Sequence, residues 1–146
     1  MVRRARKRPL LPRRWHFFIS AWVPALLWAA LIFYFSSLPG DRLPRLWAWA
    51  PSYIILHALE YLILGALVYR AFALTRPALG YDRLALFSWS AAAVYAFSDE
   101  FHQSLVPLRD AAGGDILADL LGAIIGVILF HRLFKRYEQI RGKKKA

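Results

Sequence analysis

The chain has 146 residues, 59% of them hydrophobic and 16% aromatic, with a net charge of +11 and no cysteine. That apolar content is too high for an ordinary soluble domain of this length, and the missing thiols exclude disulfides, thiolate metal sites and cysteine nucleophiles. The basic residues flank hydrophobic runs and form no stripe on a soluble fold, so the expected partner of the charge is anionic lipid headgroups and not nucleic acid.

Four apolar runs of about 20 residues are each long enough to cross the ~30 Å hydrocarbon layer. They predict an all-α, four-helix transmembrane bundle. Residues 1–16 form a basic N-terminal segment with Arg3, Arg4, Arg6, Lys7, Arg8, Arg13 and Arg14. The first helix is expected over Phe17–Ser37. Its apolar run is long enough to span and no small-residue cleavage pattern follows it, so it reads as an uncleaved helix. Pro24 lies inside it, where neighbouring helices in a membrane tolerate a kink. Residues 38–52, LPGDRLPRLWAWAPS, read as a connection whose Trp47 and Trp49 suit an interfacial belt. A second helix is expected over Tyr53–Leu74, a turn over 75–83, and a third helix over Leu84–Val106. The segment PLRDAAGG at 107–114 breaks the chain before a fourth helix over Asp115–Phe134. Residues 17–134 thus form one membrane domain, and 135–146 a basic tail ending in Lys143, Lys144 and Lys145.

Seventeen of the 20 Lys and Arg residues lie in the N-terminal segment, in the 70–83 region or from Arg132 onward. Only Arg42, Arg45 and Arg109 lie on the other side. The bias of positive loops toward the cytoplasm places both termini inside, and four spans agree by parity.

Five of the nine carboxylates fall inside these apolar runs: Glu60, Asp99, Glu100, Asp115 and Asp119. A charge at the centre of a spanning helix costs roughly 2.5–3.5 kcal/mol even on the most forgiving scale, so intramembrane acids usually mark a working site. His57, Glu60 and Tyr61 share one helix face by their spacing. Tyr95, Asp99 and His102 share another, with Gln103 on its border. Asp115, Asp119, Gly122 and Gly126 form a stripe whose two glycines permit close helix approach. On the predicted topology these residues all lie toward the outer surface, with Glu60 roughly 10 Å deep at 1.5 Å per residue. The expectation is an outward-open polar cup walled by the second, third and fourth helices. Arg109 is expected to pair with its carboxylates. Asp99 and Glu100 point about 100° apart, so one is expected to line the cup and the other to meet Arg109 or the interface. Histidine and carboxylate ligands would suit zinc, manganese or iron, but no tight ligand motif such as HExxH is present, so no metal or other cofactor is expected. Ser36 and Ser37 read as helix-terminus residues.

At these residues the chain resembles the VanZ-like family of small integral membrane proteins. FSSLPG, HALEYLILGALVYRAF and SDEFHQSLVPLRDAAGGDILADLLGAIIG carry the resemblance over about residues 30–130. The last stretch sets Asp99, Glu100, Gln103, Arg109, Asp115, Asp119 and Gly122 at the family's spacing. Asp119 replaces a common Asn, and the lysine often found before the histidine is missing. The resemblance implies a multi-pass protein of the bacterial cytoplasmic membrane, and the family's founding member is associated with low-level resistance to the glycopeptide teicoplanin.

Three functions compete. The favoured one is handling of a lipid-linked or envelope-related ligand, its apolar tail between helices and its head at the polar residues. The second is an enzyme using carboxylate and histidine acid–base chemistry at the outer face. The third is a proton-coupled transporter, for which four helices leave little room unless the chain forms a homo-oligomer.

Overall fold

A computed structural model describes residues 13–42, 50–109 and 113–143. The arginines and lysine at 3–8, Arg45, Trp47, Trp49, Lys144 and Lys145 lie outside the described residues. The described chain is all-α: α1 is Arg13–Ser36, α2 Ala50–Thr75, α3 Tyr81–Gln103 and α4 Gly113–Lys143, with a single 3₁₀ turn at Gly40–Arg42 after α1. Helix α1 runs on through Pro24. Pro51 enters α2 in its first turn, where the missing N–H would have no intrahelical acceptor in any case. Asp82 and Asp115 stand in the first turns of α3 and α4, where a negative charge complements the helix dipole.

Two boundaries differ in ways that matter. Helix α3 ends at Gln103, three residues before the expected end. At its end the Ser104 N–H donates to the Glu100 carbonyl and the Leu105 N–H to the His102 carbonyl, both at 3.0 Å. Helix α4 continues past Phe134 to Lys143, because Lys135, Arg136, Glu138 and Gln139 are good helix formers and no breaker intervenes. Helices α1, α2 and α4 each contain a segment long and apolar enough to cross a membrane: Phe17–Ser36, Tyr53–Thr75 and Gly113–Arg141. Helix α3 is not among them, since Ser88, Ser90, Ser98, Asp99 and Glu100 lower its hydropathy.

Helix α2 touches all three other helices, and its contact with α4 is the most extensive in the bundle. Three glycines explain that contact. A Cβ on Gly122 would overlap the Ala58 carbonyl oxygen, one on Gly126 the Leu62 carbonyl oxygen, and one on Gly65 the Ala123 carbonyl oxygen. Each helix therefore presses on the backbone of the other. Small residues at such a seam gain van der Waals contact that lipid cannot match. Tyr61, Leu64, Val68, Ala92, Ala96 and Ala123 fill the adjoining core. Leu26, Leu27, Val94, Phe101, Leu121 and Leu133 point outward, as side chains facing acyl chains would.

Polar bonds tie the remaining helices. The Tyr95 hydroxyl donates to the Ala29 carbonyl at 2.6 Å, and Trp28 Nε1 to the Glu60 carbonyl at 2.8 Å. At one end of the bundle Phe17, the turn from Pro77 to Tyr81, Phe134 and Glu138 surround one hollow. The start of α1, the α2–α3 turn and the end of α4 thus share that end.

Replacing Gly126 or Gly122 with alanine is expected to cost about 1–3 kcal/mol through overpacking, read as a lower thermal midpoint in detergent. Gly80→Ala, which meets nothing within 4 Å, should leave the midpoint unchanged. Equal midpoints for all three variants would show that the α2–α4 seam is looser than described.

Candidate functional site

The opposite end of the bundle holds the polar residues. The α2–α4 seam sets His57 against Asp119, and His57 Nδ1 lies 3.0 Å from Asp119 Oδ1. Both side chains are buried, Asp119 with only 1% of its surface exposed. Among the described residues this is the one contact of a carboxylate with a basic side chain at ion-pair distance. Asp115 sits one turn before Asp119 on the same face of α4 and is also buried. Glu100 comes in from α3. It lies within Coulombic range of Asp115, Asp119, Asp99 and His57, with Asp115 its strongest like-charged neighbour.

Asp99 turns toward α1. Its Oδ2 accepts from Ser36 Oγ at 2.8 Å and from Gln103 Nε2 at 3.2 Å, while the same Gln103 nitrogen lies 3.2 Å from Ser36 Oγ. The expectation that only one of Asp99 and Glu100 would face inward is therefore corrected. Both are buried: Asp99 meets Ser36 of α1, and Glu100 is buried with no hydrogen bond to its carboxylate among the described residues. His102 leaves the set. Its ring stacks on Phe33 with centroids 4.5 Å apart, and its Nε2 lies 3.0 Å from Ser37 Oγ. Tyr61 is wholly buried beside Tyr95, and its hydroxyl has no partner among the described residues.

Arg109 is the second correction: among the described residues it pairs with no carboxylate. Its Nη2 donates to the Phe35 carbonyl at 2.6 Å, its Nε to the Leu38 carbonyl at 3.1 Å and its Nη1 to the Tyr53 hydroxyl at 3.2 Å. The last carbonyls of a helix lack intrahelical donors and carry partial negative charge. The guanidinium fork thus caps α1 and joins it to the start of α2. The segment bearing Arg109 is held close. Gly40 N–H donates to the Pro107 carbonyl at 3.3 Å. A Cβ on Gly40 would overlap the Leu108 carbonyl. Leu108 itself takes a left-handed φ of 59°, strained for a side-chain-bearing residue.

The third correction concerns the cup. It is shut. Asp99, Glu100, Gln103, Asp115, Asp119 and His57 are all buried. Several acceptors in it have no partner among the described residues: Asp99 Oδ1, both oxygens of Glu100, Asp115 Oδ2 and Asp119 Oδ2. Buried polar groups normally find partners, so this surplus on four carboxylates is the chemical signature of the site. Glu60 is the exception. It is half-buried and lines an apolar furrow between α1 and α2. Among the described residues no three His, Asp or Glu side chains gather so as to hold a metal ion.

Helix α1, which the sequence reading left out of the wall, supplies Ser36, Ser37, Phe33 and the carbonyls held by Arg109. The signal for it was the paired serine at the end of an apolar helix. Tyr53, between Arg109 and Gln103 (its hydroxyl 3.5 Å from Gln103 Oε1), was also missed. An aromatic at a helix start looks like an interfacial anchor in sequence.

The sequence model of the VanZ/LLP1 family matches residues 21–135, and the chain belongs to that family. No curated protein and no solved structure matches it.

Arg109→Lys is expected to destabilise the protein by about 2 kcal/mol, since a point-charge ammonium cannot serve three acceptors spread over a fork. Thermal unfolding in detergent reads the loss. Adding Glu60→Gln should give no rescue. Rescue by that second change would mean that Arg109 is after all a counter-ion to the acids.

Proposed function

We propose that this protein is a multi-pass protein of the bacterial cytoplasmic membrane that holds the polar head of a lipid-linked or other envelope-related amphiphile at its acid–histidine end. In this reading α3 is the fourth span, both termini are cytoplasmic and the acid–histidine end faces the cell exterior. The distribution of Lys and Arg supports the orientation: the exterior side would carry only Arg42, Arg45 and Arg109. The shared end of α1, α4 and the α2–α3 turn agrees with an even number of crossings.

The observation that carries the functional reading is the surplus of buried acceptors on Asp99, Glu100, Asp115 and Asp119 that have no partner among the described residues. An unsatisfied polar group costs several kcal/mol in the hydrocarbon region. A set kept only to lock helices together would be expected to close its own hydrogen bonds, as Ser36, Asp99 Oδ2 and Gln103 do. Acceptors left open suit a ligand that brings donors. In this reading the occluded state is the closed form, and the strained segment at Leu108 is where it opens.

A membrane-embedded enzyme is the second reading, favoured by one contact. His57 held by Asp119 at 3.0 Å is the arrangement in which a carboxylate orients an imidazole base.

Wild-type protein and the Asp115→Asn/Asp119→Asn variant, both extracted into lipid nanodiscs without detergent exchange, are to be compared by lipidomics. The expected result is an amphiphile enriched with the wild type and lost from an inserted, folded variant. The same lipid profile in both would contradict the proposed function. Conversion of that amphiphile by the wild type, lost in His57→Gln, would decide for the enzyme.

A further inference from the structure

We infer that the furrow between α1 and α2 takes the tail of a single-chain amphiphile whose head carries an amine or a comparable N–H donor, received by the Glu60 carboxylate. The inference deepens the proposed function and rests on it for the role of the site.

The furrow has a volume of about 250 Å³. Its walls include Trp28, Leu31, Ile32, Leu56, Leu59 and Ile63, and Glu60 is the one ionisable residue in it. Leu31, Leu59 and Ile63 are exposed on the outer surface of the bundle, so an alkyl chain can enter from the bilayer side. Trp28 Nε1 donates to the backbone carbonyl of Glu60, which fixes the indole as a wall and leaves the carboxylate uninvolved. No hydrogen bond to that carboxylate is formed among the described residues. A lone carboxylate in the wall of an otherwise apolar slot, between Leu56 and Ile63 along α2, matches a molecule with one apolar chain and one donor head.

The sign of the head follows from the neighbours. Glu60 lies in Coulombic range of His57, Asp119, Asp99 and Arg109. The two acids add negative potential. The imidazole is already engaged by Asp119, and the guanidinium is tied to Phe35, Leu38 and Tyr53. A phosphate or carboxylate head would meet like charge from the two acids, while the nearby cationic groups already hold other partners. An ammonium would form charge-assisted bonds in a low-dielectric setting, where they are strongest. Glu60 is also the most accessible member of the acid set.

The test uses the full chain in phosphatidylcholine nanodiscs, titrated calorimetrically with hexadecylamine, hexadecanol or hexadecyl phosphate, with empty discs subtracted. The amine should bind saturably, and about tenfold more tightly to the wild type than to Glu60→Gln, a difference of about 1.4 kcal/mol. Hexadecyl phosphate should show no saturable binding. Leu59→Trp, which fills the furrow and keeps the carboxylate, should abolish amine binding. Phosphate binding as tight as amine binding, equal amine affinity in wild type and Glu60→Gln, or undiminished binding in Leu59→Trp would each overturn the inference. Discs that hold two copies and give no amine response would assign the furrow to a second copy and overturn it as well. Lipid enrichment that depends on Asp115 and Asp119, with no amine response, would refute this inference and leave the proposed function standing.

Discussion

Two helix backbones in contact govern this molecule. Gly65, Gly122 and Gly126 let α2 and α4 approach until the missing Cβ atoms are replaced by the carbonyls of the facing helix. Within a bilayer no hydrophobic force drives helices together, so close packing has to supply the association. The same contact sets the register. With Gly122 against Ala58, Asp119, one turn earlier on α4, meets His57, the residue just before Ala58. Side chains at this seam would part the backbones and separate the pair. The chemistry of the site therefore depends on residues that have no side chain.

The polar end is best described by its imbalance of donors and acceptors. Asp99, Glu100, Asp115 and Asp119 bring eight carboxylate oxygens, and the described donors that reach them are Ser36, Gln103 and the His57 ring. Arg109 could have corrected the imbalance. It is spent on the end of α1, where helix geometry leaves carbonyls without donors. That allocation joins α1, the start of α2 and the segment after α3 into one rim. It also leaves the interior acceptor-rich, which is the physical ground for expecting a donor-bearing ligand and for regarding a bare phosphate as a poor fit.

Much of the fold was legible because membrane helices announce themselves by length and hydropathy, and because a glycine pair four apart on a polar stripe has few uses other than close packing. The acids also stood out, since a carboxylate such as Asp119 in an apolar run is rare. Partner choice was not legible. Helical spacing says that Asp99 and Glu100 diverge, but not that α1 waits on one side and the α2–α4 seam on the other. Nor could charge alone show that Arg109 would prefer two backbone carbonyls and a tyrosine hydroxyl to five nearby acids. His102 fell on the expected face of α3 and still left the set, because Phe33 and Ser37 of α1 offered it a stacking surface and a hydrogen bond. Helix α4 outran its apolar segment because a helix of Lys, Arg, Glu and Gln continues into water without a hydropathy signal.

In the proposed function the acid–histidine end faces the exterior, and the absence of cysteine from the chain makes that directly measurable. Single cysteines at Arg42 and at Arg76 can be challenged in intact cells with a membrane-impermeant maleimide. Labelling of Arg42→Cys from outside, with Arg76→Cys labelled only after permeabilisation, is the predicted result. The reverse pattern would put the buried acids at the cytoplasmic face and contradict the account.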